Sequence, residues 1–91
     1  MAIGWQVRIP RSVERELDEL PDPAWAEAMQ AIQDLGEDPR PPGSIPLRNH
    51  RDLYRIRVAH DRYRIVYRVS ERRRLILITR ARPRATAYIG L

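Results

Sequence analysis

Apolar and polar residues alternate at the start of the chain. Over 5–9, Trp-Gln-Val-Arg-Ile has a period of two, which predicts a short strand with Trp5, Val7 and Ile9 facing a core. Pro10 ends that strand and suits the opening of a helix. From Arg11 to Leu20 the period lengthens. Val13, Leu17 and Leu20 follow the i, i+4, i+7 rule, and Glu14, Glu16, Asp18 and Glu19 lie mostly on the other face. Pro21-Asp22-Pro23 breaks the helix. Asp22 is then the predicted N-cap, and Pro23 the first residue, of a second helix running to about Leu35. Its apolar stripe reads as Trp25, Met29 and Ile32, with Ala24 and Ala28 beside it, and Gly36 fits its stop. So short a break predicts an antiparallel helical hairpin.

Residues 37–46 carry four prolines and a glycine, which predict a stiff, extended, ordered loop without regular structure, and Leu47 then pins the loop to the core. Three strands follow. Tyr54, Ile56 and Val58 alternate with Arg55 and Arg57. After a turn at His60-Asp61, Tyr63, Ile65, Tyr67 and Val69 alternate with Arg62, Arg64, Val66 and Arg68. After a second turn near Ser70-Glu71, Leu75 to Arg80 is nearly all apolar, as in a central strand covered on both faces. The tail from Ala81 to Leu91 reads as irregular or a short strand. Tyr54, Tyr63 and Tyr67 fall in the apolar phase and are assigned to the core, as are Trp5 and Trp25. The order β-α-α-β-β-β predicts one α+β domain over 1–91, a two-helix hairpin packed on a small antiparallel sheet.

Composition narrows the possibilities. A chain of 91 residues has room for one modest core. It has no cysteine, so neither disulfides nor thiolate metal sites contribute, which fits a reducing cytoplasm. No run approaches the ~18 apolar residues of a membrane span, and MAIGWQVRIP lacks the features of a signal peptide. No metal-ligand spacing, glycine-rich phosphate loop or Ser/His/Asp set is present, so neither cofactor nor metal is expected.

Charge changes the picture most. The net charge is +5, and all 17 basic residues are arginine. Residues 1–45 hold four arginines against nine acids, whereas residues 46–91 hold thirteen arginines against three acids, Asp52, Asp61 and Glu71. Such a split predicts a polyanion-binding face built from the second half. Side chains two apart on a strand point the same way. Arg55 and Arg57 therefore share a face, as do Arg62, Arg64 and Arg68, and a hairpin puts both sets on the side away from the helices. Like charges opposed across a sheet destabilise it, so this plate asks for an anion. Guanidinium suits a phosphate, binding it bidentately and stacking on bases.

These residues carry a family resemblance. Val-Arg-Ile-Pro-Arg-Ser-Val-Glu-Arg-Glu-Leu-Asp-Glu-Leu-Pro resembles the start of RelE-type toxins of the bacterial RelE/ParE superfamily. Asp-Pro-Arg-Pro-Pro-Gly, Leu47, Leu-Tyr-Arg-Ile-Arg-Val and Tyr-Arg-Ile-Val-Tyr-Arg-Val resemble their middle in order and spacing, and Ile-Thr-Arg-Ala-Arg-Pro-Arg-Ala-Thr-Ala-Tyr is a looser match near the end. The resemblance implies a cytoplasmic toxin of a type II toxin–antitoxin system that cuts messenger RNA in the ribosomal A site. It implies an acidic antitoxin that folds on binding, in a toxin–antitoxin hetero-oligomer. The implied chemistry is metal-free attack of a ribose 2′-hydroxyl on the adjacent phosphate. The catalytic positions fall on Arg55, Arg57 and Arg64, on Arg82 or Arg84, and on Tyr88. Arg48, Arg51, Arg62, Arg68 and Arg80 are assigned to RNA binding.

Arginines stabilise a phosphorane well but are poor bases, and the best-studied members often carry lysine where Arg55 and Arg57 stand. Tyr88, His50 and His60 remain open as proton acceptors. The Glu–His pair of some relatives is not carried over, because no glutamate lies between Asp38 and Ser70. Two alternatives stand beside the nuclease: a ParE-type gyrase inhibitor, usually with a longer helical hairpin and without the basic set, and an inactive binding module of the same fold.

Overall fold

The computed structural model describes residues 4–91. In chain order the elements are β1 (Gln6–Arg8), α1 (Arg11–Asp18), α2 (Asp22–Leu35), β2 (Ile45–Pro46), β3 (Leu53–Val58), β4 (Tyr63–Ser70) and β5 (Leu75–Pro83). The strands form one sheet in the order β1-β5-β4-β3-β2, with both helices on one side. The α+β architecture is the one the residue pattern predicts, with two refinements. The sheet is mixed, because β1 runs parallel to β5 while the other pairs are antiparallel. Alternation fixes which side chains face the core, but it sets neither direction nor partner for a strand with no hairpin. The proline-rich loop also contributes the two-residue edge strand β2, where Pro46 is tolerated because it lies at the sheet margin. Among the described residues no helix is long and apolar enough to cross a membrane.

Val13, Leu17 and Leu20 pack with Ala24, Ala28, Ile32 and Leu35 against Ile56, Ile65, Tyr67 and Ile78. The buried face of α2 is therefore its alanine side, and the assignment of Trp25 to the core is corrected: Trp25 is 44% exposed. Small residues let the helix approach the sheet closely, and an indole at that contact would hold it off. Trp5, Val7 and Ile9 are half-buried against the core, and the Arg74 guanidinium lies 4.6 Å from the centroid of the Trp5 ring.

The helix ends also differ from expectation. Pro21 is the N-cap of α2, and its carbonyl accepts the Trp25 N–H at 2.8 Å, so Asp22 is the first helical residue and makes no side-chain cap. Gly36 has φ −64°, so it is not a left-handed cap. It lies where the chain entering β1 passes the end of the helix. The Trp5 N–H donates to the Gly36 carbonyl at 2.8 Å, and an added Cβ would lie 3.2 Å from the Gln33 carbonyl oxygen.

One irregularity on β5 organises the far side of the sheet. Val66 pairs with Arg80 and Tyr67 with Ile78, so Thr79 is the extra residue of a β-bulge, its hydroxyl donating to the Val66 carbonyl at 3.0 Å. Unbroken alternation from Ile76 and Ile78 would drive Arg80 and Arg82 into the core. The bulge reverses the phase, burying Ala81 and turning Arg80 away from the helices.

Tyr67 ties the proline-rich loop to the sheet. It is fully buried, stacks on Tyr54 at 5.8 Å between centroids, and donates its hydroxyl to the Pro39 carbonyl at 2.8 Å. Burial pushes its phenol up to about 12. Because the folded value lies above the ordinary value of about 10, this contribution is complete below pH ~10 and is lost as pH rises towards 12. Tyr67→Phe should cost about 1–3 kcal/mol at neutral pH by orphaning the Pro39 carbonyl. The variant should also lose less stability than the parent between pH 9 and 11, roughly the ionisation range of tyrosine. Denaturant unfolding at both pH values checks each part.

Candidate functional site

The β3–β4 hairpin pairs Arg57 directly with Arg64, Arg55 with Val66 and Leu53 with Arg68. Arg55, Arg57, Arg64 and Arg68 therefore share the face away from the helices. The connecting turn places Ala59, His60 and Asp61 in the left-handed region, with φ of 54°, 56° and 69°, without a glycine. Three such residues in a row are costly and persist only when their surroundings hold them. Here the Glu27 carboxylate accepts the Ala59 N–H, and the Arg84 N–H donates to the Arg62 carbonyl at 2.9 Å.

The turn curls Asp61 back over the arginines. Its Oδ1 accepts Arg64 Nε at 3.2 Å and NH2 at 2.8 Å, and lies 3.1 Å from Arg57 Nε. Its Oδ2 lies 3.8 Å from Arg84 NH1. The remaining terminal nitrogen of Arg64, NH1, donates to the Tyr88 hydroxyl at 2.8 Å, and the guanidinium carbon stands 5.6 Å from the Tyr88 ring centroid. Tyr88 arrives on the tail, residues 84–91, which winds through successive turns and is pinned where Arg80 NH1 donates to the Ala87 and Ile89 carbonyls. The plate is thus partly covered: Ala87 and Val66 are fully buried, Arg64 is 8% exposed and Arg55 only 6%.

Electrostatics follow from this crowding. Bonding to Arg64, reinforced by Arg57 and Arg84, holds the Asp61 carboxyl below the usual aspartate range. Burial pulls Arg64 down, but its bonds to Tyr88 and Asp61 outweigh that and leave it above the ordinary arginine value. Arg55 is lowered, by burial first and then by repulsion from Arg57. Its guanidinium has a long 3.4 Å contact to the Gly43 carbonyl and, among the described residues, no carboxylate in salt-bridge range. Three guanidiniums, of Arg57, Arg64 and Arg84, share one carboxylate and Arg55 adds a fourth charge, so the cluster is strongly positive. Arg55 is the cation whose charge is least answered.

The structure thus brings Arg55, Arg57, Arg64, Arg84 and Tyr88 together. Arg82 stands opposite Arg64 in the ladder, but its Nε bonds Glu16, whose other oxygen caps the Ala81 N–H. Arg84, not Arg82, joins the cluster. Arg62 leaves the plate that alternation assigns it to: the left-handed turn breaks the phase before β4 begins. Arg62 and His60 line a groove with Pro23, Glu27 and Tyr63 on the helix side. Arg80 is half-buried and engaged with the tail, and at the far end of the hairpin the exposed Arg68 donates to the carbonyl of Arg51 at 3.0 Å. Arg48 and His50 line a cleft of about 230 Å³ with Leu47, Tyr88 and Leu91. Sequence reasoning missed Asp61 as the hub. The available signal was its position, one of three acids among the arginines of the second half.

A family model described as the ParE toxin of the type II toxin–antitoxin system, parDE, matches residues 7–88. The chain belongs to this family. The toxin is also similar in structure to a chain of the RelBE2 toxin–antitoxin complex of Mycobacterium tuberculosis, at 25% identity and TM-score 0.75 over 90% of this chain and all of that one. It is similar to a chain of the archaeal RelE–RelB complex of Pyrococcus horikoshii, at 27% identity and TM-score 0.75 over 91% and 98% of the two chains. Isolated E. coli RelE toxin shares the fold, with TM-score 0.75 at 19% identity over 87% of this chain and 83% of that one. No curated relative matches the toxin. It is a type II toxin of the RelE/ParE superfamily, with a RelE-like fold.

Replacing Arg55 should separate anion binding from folding. A buried charge with no carboxylate partner costs desolvation that an apolar isostere avoids. Arg55→Met should therefore keep or raise the melting temperature while weakening the binding of a short oligoribonucleotide. Thermal melting and fluorescence anisotropy check this. Unchanged affinity, or a marked loss of stability, would contradict the placement.

Proposed function

We propose that this toxin is a ribosome-dependent endoribonuclease. The observation that carries the reading is the convergence of Arg55, Arg57, Arg64 and Arg84 with the Tyr88 hydroxyl on one partly covered face. In the proposed reaction the 2′-oxygen bonds to the adjacent phosphorus and the bond from phosphorus to the 5′-oxygen breaks. The 2′ proton passes to a base, and the leaving 5′-oxygen takes a proton. The products are a 2′,3′-cyclic phosphate and a 5′-hydroxyl. Guanidiniums stabilise the dianionic phosphorane because they are charged and fixed before the reaction begins. His50 and Tyr88 line one cleft, the Tyr88 hydroxyl accepts a hydrogen bond from Arg64, and histidine is the side-chain type suited to proton transfer near neutral pH. These two are the proposed proton-transfer pair, and His60 on the helix side is set aside.

Membership of a toxin–antitoxin family, and likeness to toxins solved as RelBE complexes, support a cognate antitoxin in a hetero-oligomer. The exposed arginines favour an acidic segment that folds as it binds. Inhibition of DNA gyrase is the second reading, favoured by the ParE family model itself. The short hairpin, with helices of 8 and 14 residues, and the retained basic cluster weigh towards the nuclease.

Arg64→Ala should retain antitoxin binding and lose messenger cleavage by about 10²–10³-fold, the usual cost of one preorganised donor to a transition state. Arg64→Lys should recover only part, because lysine keeps the charge without the planar fork. Primer extension on ribosome-bound message, paired with thermal melting, measures both. A folded Arg64→Ala that cuts at the parental rate would displace the site. Parental protein that spares messages but blocks gyrase supercoiling would favour the second reading.

A further inference from the structure

The bonds of Arg64 divide its guanidinium into two sides. Nε and NH2 form one edge, and both donate to Asp61 Oδ1. NH1 points to the Tyr88 hydroxyl. An incoming phosphate therefore cannot take the Nε edge of Arg64 without displacing Asp61. We propose that Asp61 is a positioning residue of this site, orienting Arg64 so that its NH1 side, next to Tyr88, receives the scissile phosphate. The inference rests on the ribonuclease reading above for the identity of the phosphate, but the orientation of Arg64 is testable without it.

Three observations carry the assignment. Asp61 touches Arg57, Arg64 and Arg84 at once, so it links residues from β3, β4 and the segment after β5. It is held in place by a strained turn that closes with Glu27 on one side and the Arg84 backbone on the other. A carboxylate needed only to balance charge could sit on any of these strands, whereas the turn adopts three left-handed residues to bring this one over the cluster. Both carboxylate oxygens face guanidiniums, Oδ1 those of Arg57 and Arg64 and Oδ2 that of Arg84, and bonding to Arg64 holds the carboxyl below the usual aspartate range, which makes it a weak proton acceptor. Its part is to fix a donor in advance, which is how a preorganised site avoids reorganisation during the reaction.

A positioning carboxylate and a screening one predict opposite results. Asp61 weakens the field that attracts RNA, so removing its charge should tighten RNA binding in either case. If it positions Arg64, tighter binding should accompany slower chemistry. Asp61→Asn is the first variant, because asparagine tolerates the left-handed conformation and keeps an acceptor oxygen. Asp61→Gly is the second, accepting the same backbone with no side chain. Three readouts separate the roles: affinity for a short oligoribonucleotide, the single-turnover cleavage rate at saturating ribosomes, and solvent exchange of the Arg64 Nε–H by nitrogen-edited NMR. We expect affinity to rise a few-fold, cleavage to fall at least tenfold, and Nε–H exchange to quicken at least tenfold in both folded variants.

Cleavage that rises with affinity would make Asp61 a mere competitor of the phosphate and overturn the proposal. A parallel loss of melting temperature, affinity and rate would make it a structural turn residue and also overturn it. Should the parental toxin cut no ribosome-bound message, the ribonuclease reading fails. Arg64 Nε–H exchange then decides the positioning role alone, and exchange unchanged in Asp61→Asn and Asp61→Gly would refute it.

Discussion

Two arginines, Arg57 and Arg64, stand directly opposite each other on neighbouring strands, and the sheet tolerates them because Asp61 lies across both. Like charges at that spacing oppose strand pairing. The hairpin could not close well on this sequence without an anion near its end. The turn supplies one at the cost of three left-handed residues. Much of the face follows from that contact. Arg64 is held at one edge by Asp61 and at the other by Tyr88, which anchors the tail, and Arg84 is drawn in beside them.

The bulge at Thr79 is the second constraint. It spares the core two arginines and brings Arg80 to the side where the tail carbonyls wait. The tail in turn covers part of the sheet, so Arg55 and Arg64 are buried while Arg57 and Arg84 stay exposed beside them. Coulomb interactions are stronger where water is thinned out, and Arg55, buried with no carboxylate partner among the described residues, keeps an unanswered demand for an anion. The fold thus neutralises enough charge to form and leaves enough to bind.

Much of this was legible in the residue pattern. The period-two runs locate β3 and β4, the proline breaks delimit both helices, and the arginine phase correctly joins Arg55, Arg57 and Arg64. The losses have specific causes. Trp25 misleads because the large residue, not the alanines, looks like the buried stripe. Arg62 misleads because alternation assumes an unbroken ladder and turn strain intervenes, and the choice between Arg82 and Arg84 stays open in the sequence because it turns on a contact of Arg82 with Glu16, distant along the chain. Asp61 was visible only as one of a few acids. Its role depends on backbone angles that local composition does not encode, since the turn contains no glycine to announce them.

In the proposed reaction this cluster directs a 2′-hydroxyl onto its neighbouring phosphate, and the cut ends record which bonds form and break. The decisive measurement is end-group analysis of message recovered from ribosomes treated with the purified toxin. The upstream fragment should end in a 2′,3′-cyclic phosphate and the downstream fragment should begin with a 5′-hydroxyl. Fragments with a 3′-hydroxyl and a 5′-phosphate, or message left intact, would contradict it.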